Sequence, residues 1–190
     1  MRVREATKND FDEIGRLTVA AYRALDRWVG DDYAVHLADV AGRAEAENTT
    51  VLVAEDDLPS AAAVTAAVVA GDGAAVGAGS TERRVLGSVT LTIGGGPYFE
   101  WDPVADGDCG FRMLAVAPDV QGRGVGPRLV AECLDRARAA GCRRMIIGST
   151  EWMTTAHRIY ERVGFRRAPE LDQWWGDIRG LCFVLDLRAT

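Results

Sequence analysis

QGRGVG, residues 121–126, is the stretch on which the reading of this chain turns. It stands between FRMLAV (111–116), closed by Pro118, and a run in which Leu129, Val130, Cys133, Leu134 and Ala137 recur at helical spacing. A strand, a glycine turn and an amphipathic helix in that order bring unpaired backbone N–H groups and the positive end of a helix dipole to one point. That point suits a phosphate. Gly122, Gly124 and Gly126 permit positive φ angles and close backbone approach, and Arg123 sets a cation beside them.

Two familiar phosphate loops fail on residues. A Walker A loop ends in Gly-Lys-Ser/Thr, whereas Gly126 is followed by Pro127 and Arg128. A dinucleotide fingerprint G-x-G-x-x-G counted from Gly122 requires its third glycine where Pro127 stands. Gln121-x-x-Gly124-x-Gly126 instead matches the Q/R-x-x-G-x-G/A signature with which the GNAT superfamily of acyl-CoA-dependent N-acetyltransferases holds the pyrophosphate of coenzyme A. The resemblance takes in the strand before the turn, the Val116-to-Pro118 step and YERVGF at 160–165.

The resemblance implies an α/β fold with a mixed, mostly antiparallel central sheet flanked by helices, its strands splayed around the cofactor. Residues 1–190 then form a single domain. The backbone of Leu114, Ala115 and Val116 is expected to bind the pantetheine amides. The turn Gln121, Gly122, Arg123, Gly124, Val125 and Gly126 takes the pyrophosphate, with acetyl-CoA as co-substrate. Tyr160 matches the family tyrosine that protonates the departing thiolate, and the Val116 N–H is expected at the thioester carbonyl. Many relatives carry a Glu where this chain has Gly110 or Gly148, so the base is open among Glu100, Asp102, Asp108 and Glu151. Met153 stands where many relatives place a cofactor-contacting Asn; Ser149, Thr154 and Thr155 are the replacements at hand.

Upstream, Val3 lies in a short alternating strand, and Thr7 with Asp10 forms a capping box before Phe11, Ile14, Leu17 and Ala21. A second helix is expected from Asp31 and Asp32, with Leu37, Val40 and Ala44 inward. Residues 50–54 and 85–93 read as strands, and the Ala/Gly/Val/Ser-rich stretch 59–82 between them as an elongated, mobile hairpin loop. Met145 to Ile147 reads as a strand. Thr154 or Thr155 should cap a short helix that Gly164 ends. Phe165 and Leu181 to Leu187 supply the last strands, giving the order β α α β β β α β α β β.

Composition narrows the classes. With 48% hydrophobic and 26% charged residues the chain is an ordinary globular one, and a net charge of −6 argues against a nucleic-acid face and mildly for a cationic partner such as an amine. The N-terminus lacks the apolar core of a secretory signal and no run is long enough to cross a membrane, so the expected location is the cytoplasm. Cys109, Cys133, Cys142 and Cys182 lack metal-site spacing, and no metal is expected. His157 is expected at the surface, one turn before Tyr160, and His36 in a structural or solvent role. Trp152, Trp174 and Trp175 are candidates to line an acceptor pocket, and the C-terminal strands and tryptophans are where a homodimer would form. Three functions stay open: an acetyltransferase acting on an amine of a small molecule or protein, a non-catalytic acyl-CoA-binding sensor or regulatory module, and a nucleotide binder that mimics the turn.

Overall fold

The structure is a computed structural model that describes residues 1–25, 27, 30–57, 83–95 and 107–188. The expected hairpin at 59–82 lies outside the described residues, as do Glu100 and Asp102.

The chain opens with β1 (Arg2–Glu5) and a short 3-10 turn at Lys8–Asp10 closed by the capping box of Thr7 and Asp10. Arg4 fastens this corner to the sheet, donating to both oxygens of Asp10 and to Glu55. Helix α1 (Phe11–Arg23) buries Ile14, Leu17 and Ala21, as their spacing requires. The expected second helix is two helices, α2 (Asp31–Ala38) and α3 (Val40–Glu45). Asp39 divides them because its carboxylate accepts from the Gly42 N–H at 2.8 Å, an N-cap bond that competes with helix continuation. Leu37 and Val40 are nevertheless buried, and Ala44 packs on the core.

Strands β2 (Thr49–Asp57), β3 (Arg83–Ile93) and β4 (Cys109–Val116) follow. Helix α4 (Val125–Ala139) leads to β5 (Arg144–Thr150), and α5 (Thr154–Val163) to β6 (Arg166–Arg167), β7 (Gln173–Trp175) and β8 (Ile178–Asp186). The sheet runs β1-β2-β3-β4-β5-β8-β6, with β7 also on β8, and every pairing is antiparallel except β4 with β5.

Helices α1 and α4 cover opposite faces of β3. The Thr18 hydroxyl of α1 lies 3.4 Å from that of Ser88, while a Cβ on neighbouring Gly87 would meet Val125 and Leu129 of α4. Leu129, Val130, Cys133, Leu134 and Ala137 are all buried on that second face. Gly87 is needed for a stricter reason: its Cβ would stand 2.6 Å from the Ala115 carbonyl oxygen, which is backbone and cannot swing aside. Gly87→Ala is therefore expected to lower unfolding stability by about 1–3 kcal/mol, the range for overpacking a close-packed interior, as read by urea denaturation.

Two expectations near the C-terminal end are corrected. Helix α5 starts from Met153, not from a threonine cap, because the Met153 N–H donates to the Thr150 carbonyl and the resulting turn sets the first helical residue at Thr154. Phe165 is a buried core residue beside α5, and the strand begins one residue later.

Candidate active site

The sheet opens at one place. Parallel pairing of β4 with β5 is confined to Cys109 with Met145 and Gly110 with Ile146. Beyond it a bulge interrupts β4: Ser88 faces Ala115 and Thr90 faces Arg112, so Met113 and Leu114 together oppose Val89. Met113 takes up the extra residue with φ of 52°, a left-handed angle uncommon for a side chain of its size. The bulge turns the end of β4 away from β5 and leaves a gap between the two strands.

Register then decides which backbone groups face the gap. The Ala117 N–H donates to the Leu86 carbonyl at 2.9 Å, so Ala117 and, two residues earlier, Ala115 direct their backbone groups at β3. Leu114 and Val116 direct theirs the other way, into the gap. Of the three residues expected to bind an extended ligand, Leu114 and Val116 therefore offer N–H and C=O groups, whereas Ala115 holds the two strands together. Buried backbone groups require partners, and an amide-bearing chain laid along this edge supplies them.

The glycine turn stands at the head of the gap. A 3-10 turn at Pro118–Val120 delivers the chain to Gln121, and Gly122 and Gly124 have φ of 79° and 85°. Residues 121–124 are exposed, and a Cβ at Gly122 or Gly124 would meet no heavy atom within 4 Å. Gly124 is the N-cap of α4, so the N–H groups of Val125 and Gly126 lie in the first turn with no helical carbonyl to reach. Pro127 costs nothing there, lacking an N–H that would otherwise be orphaned. The Arg123 N–H is committed differently, donating to the Val120 carbonyl at 3.3 Å. Gly126 has a second duty, since its Cβ would sit 3.1 Å from Ile159 Cδ1: it lets α4 and α5 touch where they flank the gap.

Tyr160 comes from α5. Its residue is 4% exposed, with its ring 5.8 Å from Phe111, 5.8 Å from Phe165 and 5.5 Å from Phe183. Burial pushes its phenol well above the ordinary value near 10, so it carries its proton throughout the neutral range. The phenol of Tyr22, on α1, is raised in the same way, chiefly by burial and further by Tyr33 and Tyr160. Tyr22, Tyr33 and His36 form an aromatic row, with centroids 6.3 Å and 5.7 Å apart, on the side of the sheet toward which Arg112 of β4 also points its charge. His36 is thus half-buried among rings, with its proton affinity lowered by burial first and by Arg112 and Arg43 next.

His157 is not a surface residue. It is half-buried, with its ring 4.9 Å from Phe183 and its Nε2 3.1 Å from the Ser149 hydroxyl. Amphipathic spacing could place it one turn from Tyr160, but a cross-element hydroxyl leaves no mark on the helix that carries the histidine.

Among the carboxylates, Asp108 is excluded as a base. It is 0% exposed at the far end of β4 from the bulge and is held by Arg144 at 2.6 Å and Arg143 at 3.4 Å. Glu151 is exposed in the turn after β5. Trp174 is 69% exposed on β7, Trp175 lies against Gly180 of β8, and Trp152 sits after β5 beneath the Arg27 guanidinium at 5.0 Å. Among the described residues, no group of three His, Cys, Asp or Glu could hold a metal, and no helix is long and apolar enough to cross a membrane.

The model of the acetyltransferase (GNAT) family matches residues 22–165. No curated protein matches the chain. Among solved structures, the Salmonella typhimurium protein yncA with its cofactor acetyl-CoA is similar with a TM-score of 0.58 at 20% identity, over 100% of this chain and 95% of that one. An acetyltransferase of GNAT family from Staphylococcus aureus Mu50 reaches a TM-score of 0.66 at 10% identity, over 98% and 99%. A GNAT family acetyltransferase from Brucella melitensis in complex with acetyl-CoA reaches 0.54 at 25% identity, over 97% and 89%.

Proposed function

Because the chain belongs to the GNAT acetyltransferase family, we propose that it transfers the acetyl group of acetyl-CoA to a primary amine of a small molecule or a protein. The observation that carries this reading is the open edge of β4 leading straight to the glycine turn. Pantetheine laid along the edge meets the backbone of Leu114 and Val116. The pyrophosphate then reaches the N–H groups of Gly122, Gly124, Val125 and Gly126, with the Arg123 side chain alongside.

Acetyl transfer needs three things of the protein: a polarised carbonyl, a proton for the thiolate and a sink for the amine proton. Pantetheine lies between the glycine turn and the thioester, so the donor to the thioester oxygen, as charge builds on it, is the Leu114 N–H, turned into the gap at the bulge. The Val116 N–H, expected there from the sequence, lies beside Gly126 and holds pantetheine instead. Tyr160, kept protonated by burial, is the acid for the coenzyme A sulfur. The amine enters from the α1 side, beside Tyr22 and Arg112.

The glycines at 110 and 148, where relatives carry carboxylates, favour a second reading, an acyl-CoA-binding module without turnover. Two measurements separate them. Acetyl-CoA at about 100 times its Kd should raise stability by roughly 2.7 kcal/mol while NAD and ATP do not, and thiol release should then depend on an added amine. Stabilisation without thiol release from any of a panel of polyamines, amino acids, amino sugars and peptides would leave the binding module standing.

A further inference from the structure

Strand register sorts the residues around the gap between the two faces of the sheet. Ser88 faces Thr18 of α1, and the pairing carried across from it puts Gly110 and Arg112 of β4, Gly148 and Thr150 of β5 and Gly180 of β8 on that same face. Gly110 and Gly148 leave the sheet bare beside Arg112, and Gly180 leaves it bare beside Thr150. The face from which the amine enters thus has a floor without side chains, with a guanidinium on one side of it and a hydroxyl on the other.

Both sides present donors. Arg112 is half-buried against the Tyr33 phenol, and with Arg43 it is the cation whose charge acts on Tyr22, Tyr33 and His36. Arg43 is committed to the His36 and Leu37 carbonyls, so Arg112 brings the positive charge to the gap. The net charge of −6 over the whole chain is therefore reversed on this face, where Asp39, beside His36, is the carboxylate that acts against the two arginines. Across the floor, Thr150 is 5% exposed and its hydroxyl has no hydrogen-bond partner among the described residues. Trp175 lies on the same face over Gly180, the register partner of Thr150, because a Cβ on Gly180 would stand 2.8 Å from its ring. The Trp175 indole N–H is also buried without a partner among the described residues. Buried donors require acceptors, and the ligand of this face must supply them. A polyamine has no oxygen to offer and is repelled by Arg112, whereas a carboxylate accepts from guanidinium, hydroxyl and indole alike.

We propose that the acceptor is a small amine that carries its own carboxylate, an amino acid in chemical class, with Arg112 selecting the carboxylate and Thr150 and Trp175 donating to the acceptor's oxygens from across the floor. The proposal rests on the acetyltransferase reading above and narrows it to one acceptor class. Arg112 precedes Leu114 by two residues on β4, about 7 Å along the strand, so its guanidinium reaches a carboxylate a carbon or two from an amine held at the thioester. Its enclosure beneath α1 and α2 favours an acid borne on the same small molecule as the amine. Arg112 meets the carboxylate and not the reacting atoms, which makes it a specificity determinant and leaves the acid role to Tyr160.

The test measures kcat and KM for the common L-amino acids, each against its own amide and its decarboxylated amine, with spermidine as a polycation. It uses wild type, Arg112→Gln, Arg112→Lys and Thr150→Val, each checked for folding and for stabilisation by acetyl-CoA. Wild type should favour at least one amino acid over its amide by about 100-fold or more in kcat/KM, as a site built to bind a group discriminates against the analogue that lacks it. Arg112→Gln should bring that ratio to within about threefold of unity, through KM more than kcat. Arg112→Lys should restore part of it, since an ammonium keeps the charge and loses the fork. Thr150→Val, which keeps the shape and removes the hydroxyl, should raise KM for the amino acid about 10-fold. Amides or spermidine used as well as the amino acids would overturn the proposal and leave the acetyltransferase reading standing. A preference that persists in folded Arg112→Gln would overturn it too, and thiol release with none of the amines would overturn both. Should Arg112→Gln fail to fold, the wild-type ratio and Thr150→Val decide.

Discussion

Gly124→Val is expected to erase the stabilisation that acetyl-CoA gives the wild-type protein, from roughly 2.7 kcal/mol at 100 times the Kd to near zero. Gly124 holds φ of 85° at the N-cap of α4, and a β-branched residue there is strained by about 1–3 kcal/mol whatever space surrounds it. The chain relieves that strain by leaving the left-handed region, which swings the N–H groups of Gly124 and Val125 away from a common point. The measurement is the difference in thermal unfolding with and without acetyl-CoA within the one variant, so a general loss of stability does not mimic the effect. Gly126→Ala is the control. Its added methyl meets the flexible tip of Ile159 at 3.1 Å and touches Val116 Cγ2 at an ordinary 3.7 Å, and most of the acetyl-CoA response should survive. A full response in Gly124→Val would mean that the turn holds no phosphate.

The same residues show what a sequence can disclose about this site. The turn and helix α4 were legible because glycines at fixed offsets and a 3.6-residue apolar stripe are local signals, and Leu129, Val130, Cys133, Leu134 and Ala137 are buried together as that stripe requires. The bulge at Met113 was not, since it exists only in the register of β4 against β3, and methionine does not announce a positive φ. For that reason Leu114, Ala115 and Val116 looked equivalent, whereas pairing assigns Ala115 to β3. The break at Asp39 was written in the sequence as an N-cap residue three before Gly42, but the continuous run from Leu37 to Ala44 hid it. Strand β7 was missed because QWW is too short for a period, although Gly176 and Asp177 carry the turn that returns it to β8. Asp108 and His157 were misread for one shared reason: their partners, Arg143 and Arg144 in one case and Ser149 in the other, lie on other elements.

Tyr160→Phe should lower kcat by about 100-fold or more while leaving the acetyl-CoA Kd within about twofold, the range in which a positioned proton donor contributes. The competing account is that Tyr160 is a core residue, and its enclosure by Phe111, Phe165 and Phe183 gives that account substance, since the edge-on pairs with Phe111 and Phe183 each add about 0.5–1.5 kcal/mol beyond burial. Phenylalanine separates the two because it keeps the ring and removes only the oxygen. If packing were the whole role, Tyr160→Phe would behave as wild type in every assay, and only Tyr160→Ala, which opens a cavity costing about 3–5 kcal/mol, would fail. If the phenol is the acid, Tyr160→Phe melts near wild type, binds acetyl-CoA normally and stalls at thiolate departure. The stall should depend on the leaving group, because a thiol of lower pKa departs without help. An acetyl thioester with an aromatic thiol in place of coenzyme A is therefore expected to recover much of the lost rate in Tyr160→Phe and to gain far less in wild type, and equal gains in both would remove Tyr160 from the acid role.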